Sequence, residues 1–225
     1  FFYGVHMPEE RRKAIFKLHG ERLPDGKPAN PGWPAYVRGV LSEEEQHEVE
    51  RVNREIFGWE NRKDKLLEVI RDMDSDLLSL VECDHYEEFF KPGLAAMGYD
   101  SVWKQRPRPA SLDGCCIAWR RNTFELVAQD NIEYADKYDP VRKRTFKDRI
   151  ALMTLLRVRI TGDCVVFVST HLARNPEQPE VDRLRARQIG QVVRALAEFA
   201  KKNGVPDAPV LLTGDLNATS FGKLR

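Results

Sequence analysis

The strongest constraint on the fold is a series of short apolar segments that are bounded by turn residues. They are rich in Val, Ile, Phe, Tyr, Trp and Thr, which favour β-strands. The segments read DLLSLVEC, YDSVWKQ, CCIAWRR, TFELVAQDNIEY, IALMTLLRVRI, CVVFVSTHL and APVLLTGD. Helical patterns precede and interrupt this series, so the order of elements is mixed. Such an order predicts a layered α/β domain with a large antiparallel component.

Local turn and helix signals predict how these segments are connected. The breaks RRNT (120–123) and ITGD (160–163) separate neighbouring strand candidates and predict antiparallel hairpins. Segment 179–204 is the clearest helical pattern, with Gly204 as its stop signal. Its predicted apolar stripe consists of Val181, Leu184, Ile189, Val192, Val193, Leu196 and Phe199.

The N-terminal part of the chain is predicted to be less regular. Residues 1–42 read as an irregular segment with one short helix near Glu9–Leu18 and a loop rich in proline and glycine. Ser42 is then the predicted N-cap of a helix whose first turn is acidic. Because the chain begins at Phe1 rather than Met and stops at Arg225 in a basic stretch, we expect it to be a piece of a longer protein.

Charge and cysteine content narrow the class of protein. The 225 residues suit one domain, and 36 basic against 35 acidic side chains favour neither a nucleic-acid nor a membrane partner globally. No apolar run approaches the roughly 20 residues of a membrane span, so no membrane partner is expected. The four cysteines lack zinc-ligand spacing, which favours reduced core thiols in an intracellular, cytoplasmic protein.

Three of the apolar segments end in polar side chains that can carry chemistry. LLSLVE ends at Glu82, VVFVSTH ends at His171, and VLLTGDLN ends at Asp215 and Asn217. Rigid strand ends hold such groups to the tolerance that a catalytic site needs. An unpaired buried carboxylate is costly, and a divalent cation offsets its charge. Magnesium takes oxygen ligands of this type, together with waters and substrate phosphates.

Taken singly, each of these residues also has an ordinary structural interpretation. Glu82 fits a helix cap, His171 fits a hydrogen-bonded structural residue, and GDLN fits an Asx-turn. A generic α/β domain would leave Glu82, Asp215 and Asn217 far apart. Three polar strand ends in one chain favour a shared site over these separate interpretations.

The same segments resemble a known family. LVECD, STHL and GDLN resemble characteristic blocks of the endonuclease/exonuclease/phosphatase superfamily of magnesium-dependent phosphoesterases. LVECDHYEEFF, DGCCIAWRRNTFELV and PVLLTGDLNATS are most similar to its carbon-catabolite-repressor-type deadenylase branch, which includes nocturnin and the angel proteins. The resemblance is clearest from Trp59 to Ser220. It implies a four-layer α/β sandwich, in which two mixed, largely antiparallel sheets pack face to face between helices.

The resemblance also implies a role for each polar strand end. Glu82 matches the metal-binding glutamate, for Mg²⁺ or alternatively Mn²⁺. His171 matches the histidine that contacts the scissile phosphate. Asp215 matches the aspartate that orients or deprotonates the attacking water, and Asn217 matches the amide that holds the phosphate or transition state. The implied reaction is in-line attack of water on phosphorus.

Two departures from the family pattern affect these expectations. Val81 stands where the family usually has Gln, which removes an amide beside Glu82. The family also has an upstream strand ending in Asn and a downstream Asp-His pair, and we find neither in this sequence. Residues 1–225 are therefore expected to be a partial domain that lacks the first strand and the C-terminal part. We expect little phosphodiesterase activity from them alone, and activity from a longer parent.

Basic residues supply candidate substrate contacts. WKQRPRP places Lys104, Arg106 and Arg108 in a loop that suits a nucleic-acid backbone or a nucleotide phosphate, with a solvated charged loop as the alternative for each residue singly. By resemblance, Arg106 lies nearest the basic phosphate-contacting position of the branch. Asp113 and Gly114 form a predicted turn that borders the site. A second basic run, Val141 to Arg149, is predicted to be a solvated surface.

Three functions follow from these observations. The leading one is a magnesium-dependent hydrolase of the nuclease type, a 3′-to-5′ exoribonuclease acting on poly(A) or related RNA 3′ ends. A close alternative is a phosphatase acting on a small phosphorylated nucleotide, as nocturnin-like members do. A third, from another class, is a non-catalytic binding module with the same fold, which Val81 and the absent terminal motifs favour.

Overall fold

A computed structural model describes residues 5–25, 27–108, 111–139, 144–174 and 179–218, and the chain divides into two compact units, Phe1–Val69 and Ile70–Arg225. The helices are α1 (Glu9–Gly20), α2 (Glu43–Glu55), α3 (Trp59–Met73), α4 (Lys91–Ala96) and α5 (Pro179–Lys202). The strands are β1 (Leu77–Cys83), β2 (Tyr99–Gln105), β3 (Gly114–Arg120), β4 (Phe124–Glu133), β5 (Lys137–Asp139), β6 (Arg144–Phe146), β7 (Ile150–Val158), β8 (Cys164–His171) and β9 (Val210–Asp215). Two short helical turns, Ala35–Val37 and Tyr86–Phe90, complete the order.

The first unit has a small core of its own. Ile15 of α1 packs there with Val37 and with Val49 of α2. The predicted N-cap of α2 is confirmed, because Ser42 and Glu45 form a capping box in which each side chain accepts the other's backbone N–H. The predicted helix within residues 1–42 is also present, as α1.

In its described residues the second unit contains two larger sheets, with strand orders β1-β3-β2 and β4-β7-β8-β9, and a separate two-stranded sheet of β5 and β6. Paired strands are antiparallel except β8 and β9, which are parallel. The core between the two sheets contains Cys115, Ile117, Trp119, Phe124, Ile150, Leu152, Leu156 and Phe167. On the outer face of the second sheet, α5 packs through Val192, Leu196 and Phe199. The predicted α/β architecture of two sheets flanked by helices is confirmed.

Two local predictions are wrong for physical reasons. The RRNT break does not close a hairpin, because β3 is the buried central strand of the first sheet and β4 belongs to the second. The chain crosses between sheets there, whereas the ITGD break does join the antiparallel strands β7 and β8. Val193, predicted to belong to the apolar stripe, is 55% exposed because it lies about 100° around α5 from the buried Val192.

Two further features concern the helices and the cysteines. None of the helices in the described ranges combines the length and apolar character needed to cross a bilayer. The four cysteines are free thiols, and Cys83, Cys115 and Cys116 are buried.

Candidate active site

Parallel pairing of β8 and β9 brings two of the predicted site residues together. The carboxyl ends of parallel strands meet at one sheet edge, and the register sets His171 opposite Asp215. His171 Nε2 lies 3.6 Å from Asp215 Oδ2, which is longer than a hydrogen bond and leaves a close electrostatic contact. The Leu172 N–H donates to the Asp215 carbonyl at 2.9 Å and fixes how the chain leaves β8.

The side chains of Asp215 and Asn217 fix the segment that follows β9. Asp215 Oδ1 accepts the Asn217 N–H at 2.8 Å, and Asn217 Nδ2 donates to the Leu172 carbonyl at 3.0 Å. Asn217 adopts a φ of 49°, in the left-handed region that Asn tolerates better than most residues. GDLN therefore forms an Asx-turn, which is its ordinary structural interpretation. The turn lies at the same sheet edge as His171, where the functional interpretation also expects it.

Glu82 occupies an irregular position at the end of β1. The pairing of β1 with β3 shifts register between Leu80 and Cys83, and Glu82 has a φ of 54°. Strained backbone of this kind concentrates at functional sites. The carboxylate of Glu82 is about half exposed and pairs with the Arg174 guanidinium. Val81 packs against the core between the sheets, so its side chain serves packing where the family pattern has an amide.

Arg149 is a site residue that the sequence interpretation missed. It is 5% exposed, and its Nη1 lies 3.1 Å from His171 Nδ1. The prediction of a solvated surface over 141–149 is therefore wrong at Arg149, although Phe146 and Lys147 are exposed and residues 141–143 lie outside the described ranges. A usable signal was present, because Arg149 directly precedes β7 and antiparallel pairing places the start of β7 beside the end of β8.

The two basic side chains predicted to contact substrate, Lys104 and Arg106, form ion pairs with carboxylates of this chain. Arg106 donates to Asp148 Oδ1 at 2.5 Å and to Asp113 Oδ2 at 3.2 Å, and its side chain is only 10% exposed. The predicted loop is wrong at Lys104, which lies within β2 opposite Cys115 and pairs with Glu133 at 3.1 Å. Since Asp148 Oδ2 also lies 3.5 Å from Arg149 Nε, Arg106 belongs to the polar network that reaches His171. Direct contact of Lys104 or Arg106 with substrate stays a prediction.

Burial and the neighbouring charges favour the neutral form of His171. Burial lowers the pKa of His171, and the positive charge of Arg149 lowers it further. The carboxylates of Asp215 and Glu82 act in the opposite direction without reversing the shift. A neutral imidazole has one N–H donor and one acceptor nitrogen, so His171 can donate a single hydrogen bond to a ligand at this edge.

Glu82 is the candidate ligand for a divalent cation. The described part of the chain contains no cluster of three or more His, Cys, Asp and Glu side chains arranged to hold a metal. Magnesium needs no such cluster, because one or two carboxylates with waters and substrate phosphates complete its coordination. The partly exposed carboxylate of Glu82, within electrostatic reach of His171, fits that donor set.

Comparison with known proteins places the chain in a family. The profile of the Endonuclease/Exonuclease/phosphatase family matches residues 56–222. Protein angel homolog 2 of Danio rerio is 30% identical over 184 residues, which cover 76% of this chain and 30% of that protein. The CCR4-Not complex 3′-5′-exoribonuclease subunit Ccr4 of Saccharomyces cerevisiae is 29% identical over 189 residues, covering 72% of this chain and 22% of that protein.

A solved structure agrees with these matches. The human Nocturnin catalytic domain with bound sulfate anion superposes with a TM-score of 0.63 at 25% identity, covering 74% of this chain and 60% of that one. The chain spans less than a third of the length of either curated relative. Profile, relatives and fold agree, and the chain belongs to the endonuclease/exonuclease/phosphatase family.

Proposed function

We propose that this chain forms the core of a metal-dependent phosphoesterase that shortens RNA from its 3′ end. The observation that supports the proposal is the meeting of His171, Asp215 and Asn217 at one sheet edge, with Glu82 within electrostatic reach. Membership of the family supports phosphoester hydrolysis. The Ccr4 subunit, itself a 3′-5′-exoribonuclease, favours RNA as the substrate and poly(A) as its first test.

Each side chain of the site has a role that its surroundings support. Asp215 Oδ2 is free of the Asx-turn bond and accepts a proton from the attacking water. His171 donates a hydrogen bond to a phosphoryl oxygen, and the second N–H of the Asn217 amide contacts the same phosphate. Water adds to phosphorus as the bond to the leaving 3′ oxygen breaks, and that oxygen takes up a proton.

Glu82 would hold Mg²⁺ or Mn²⁺ in this scheme. When bound, the ion supplies positive charge that stabilises the negative charge developing on the phosphate. Arg174, which pairs with Glu82, then becomes available to face the anionic substrate.

The test uses the natural full-length protein. A 5′-labelled oligo(A) is incubated with Mg²⁺ or with a chelator, and shortening from the 3′ end is followed on a gel. We expect magnesium-dependent shortening, and a rate loss of about 10²–10⁴-fold in Asp215→Asn if it acts as general base. Asp163→Asn, in the exposed turn between β7 and β8, is the matched control and should retain full activity.

Parallel incubation with NADPH separates the alternatives. Phosphate release from NADPH with oligo(A) left intact would replace RNA by a small phosphorylated nucleotide as the substrate. Binding of oligo(A) without hydrolysis of either compound would instead identify a non-catalytic binding module. Either result would overturn the exoribonuclease proposal.

A further inference from the structure

We infer that Arg149 is a positioning residue that fixes the tautomer of His171, so that the imidazole presents an N–H rather than a lone pair to Asp215 and the substrate. The hydrogen-bond geometry carries this inference by itself. Its consequence for turnover rests on the proposed function.

The contact between the two side chains defines the donor and the acceptor. Arg149 Nη1 lies 3.1 Å from His171 Nδ1. A guanidinium has only donors and does not lose its proton in proteins, so Nδ1 must be the acceptor. A neutral imidazole that accepts at Nδ1 carries its proton on Nε2. The bond from Arg149 therefore selects one tautomer and excludes the other.

The opposite ring nitrogen faces the reactive edge. His171 Nε2 lies 3.6 Å from Asp215 Oδ2, whereas Asp215 Oδ1 is already occupied by the Asn217 N–H. An Nε2–H donor consequently stands beside the free carboxylate oxygen, where the water and the phosphate are proposed to bind. The alternative tautomer would present a lone pair there and would repel both the carboxylate and a phosphoryl oxygen.

Burial makes the contact strong and specific. Arg149 is 5% exposed and His171 is 3% exposed, so water screens their interaction little. Four charged groups act on the imidazole: Arg149 and Arg174 disfavour its protonation, while Asp215 and Glu82 favour it. Burial lowers the pKa of His171 most and the two arginines lower it further, so the neutral ring is favoured and its tautomer decides which nitrogen carries the proton.

The guanidinium of Arg149 is itself held by a chain of ion pairs. Asp148 Oδ2 lies 3.5 Å from Arg149 Nε, and Asp148 Oδ1 accepts from Arg106 at 2.5 Å. Arg106 in turn pairs with Asp113. Among the described residues, the buried Nε of Arg149 has no hydrogen-bond partner, which is costly for an interior group. Arg149 therefore donates to His171 through Nη1, while its Nε–H makes no hydrogen bond among the described residues.

The tautomer can be measured directly by nuclear magnetic resonance on the full-length protein labelled with ¹⁵N-histidine. Long-range ¹H–¹⁵N spectra distinguish protonated from unprotonated ring nitrogens, and His171→Gln assigns the signal among the histidines. We expect His171 at neutral pH to show an unprotonated Nδ1 and a protonated Nε2. Observation of a protonated Nδ1 in the wild-type protein would overturn the inference without any variant.

Two substitutions test the role of Arg149. Arg149→Met removes donor and charge at similar length, so we expect mixed tautomers and a His171 pKa above the wild-type value. Arg149→Lys retains a cationic donor and should restore the Nε2–H signal at least in part. If folded Arg149→Met keeps the wild-type shifts and pKa, the arginine does not set the tautomer. If Arg149→Met does not fold, the wild-type spectrum and Arg149→Lys decide.

Activity provides a second readout that separates positioning from folding. For the exoribonuclease reaction we expect kcat to fall tenfold or more in Arg149→Met with a smaller change in KM, and Arg149→Lys to recover part of the loss. An inactive wild-type protein with the expected tautomer would contradict the proposed function alone. An active protein with the opposite tautomer would contradict this inference alone.

Discussion

At the scale of single residues, the site combines strained backbone with exposed charge. Glu82 and Asn217 adopt φ angles of 54° and 49°, values that side chains larger than glycine rarely take. Such conformations persist only where surrounding structure enforces them, here a strand irregularity and an Asx-turn. The carboxylate of Glu82 pairs with Arg174, and both side chains are more than half exposed. An ion pair this exposed is weak, and a cation can displace the guanidinium.

Removal of Arg174 should therefore strengthen cation binding at Glu82. For Arg174→Ala we expect the affinity for Mn²⁺ to rise about 1.4- to fivefold, because exposed ion pairs contribute about 0.2–1 kcal/mol. Isothermal titration and the electron paramagnetic resonance of free Mn²⁺ both measure this without substrate. Arg183→Ala, an equal loss of charge on the exposed surface of α5, is the control. An unchanged or reduced affinity in Arg174→Ala would argue against Glu82 as the ligand.

At the scale of secondary-structure elements, the site depends on how closely β9 approaches β8. Gly214 has a φ of 129°, and a Cβ added there would lie 1.8 Å from the Thr170 carbonyl oxygen. Gly214 lies one residue before Asp215, and the same strand register sets Asp215 opposite His171. Glycine at this position is consequently required by both backbone conformation and space.

Substitution of Gly214 should separate the two strands and disturb the site. Gly214→Ala is expected to lower the free energy of unfolding by about 2–6 kcal/mol, since the unfavourable backbone conformation and overpacking each contribute about 1–3 kcal/mol. Denaturant titration measures the loss. Gly190→Ala in α5 is the matched control with the opposite sign, because its Cβ meets only Arg194 Nη1 at 3.6 Å and alanine favours a helix by about 0.5–1 kcal/mol. Similar effects of the two substitutions would contradict this account.

The same elements show what the sequence could and could not predict. The strands and their polar ends were predictable, because β-branched runs and the residues that terminate them are local patterns. The outcome at the RRNT break was not predictable, because turn residues are a local signal. Whether β3 pairs with β4 depends instead on β3 being the buried central strand of the other sheet. Arg149 could be found only by combining two predictions, because no local pattern marks its contact with His171 across 22 residues of sequence, and only the β7–β8 hairpin places the two side by side.

At the scale of the whole molecule, the second unit buries side chains whose pKa values shift towards the neutral form. One of them, His171, titrates below neutral pH, and two, Cys115 and Tyr86, titrate above it. Burial, aided by Arg149, lowers the pKa of His171. Burial raises the pKa of the Cys115 thiol to about 12 and that of the Tyr86 hydroxyl to about 12. Each group is therefore more easily charged in the unfolded chain than in the folded protein, which makes stability depend on pH in two separate windows.

The acid window follows from His171. In the unfolded chain its pKa is near 6.5, so as pH falls below that value the unfolded state binds a proton before the folded state does. The free energy of unfolding should then decrease until the lower folded-state pKa is reached. Denaturant titrations between pH 7 and 5 measure this slope, and His171→Gln should reduce it. A variant with the wild-type slope would show that His171 is not buried in its neutral form.

The alkaline window follows from Cys115 and Tyr86 and has the opposite sign. Their ordinary pKa values are 9.0 and 10.0, so above pH 9 the unfolded chain releases protons that the folded protein retains up to about pH 12. Stability present at neutral pH should therefore decrease as pH rises through this range. Cys115→Ala and Tyr86→Phe should each flatten the alkaline slope while leaving the acid slope unchanged. If either instead altered only the acid slope, the buried groups that couple folding to protons would have to lie elsewhere in the chain.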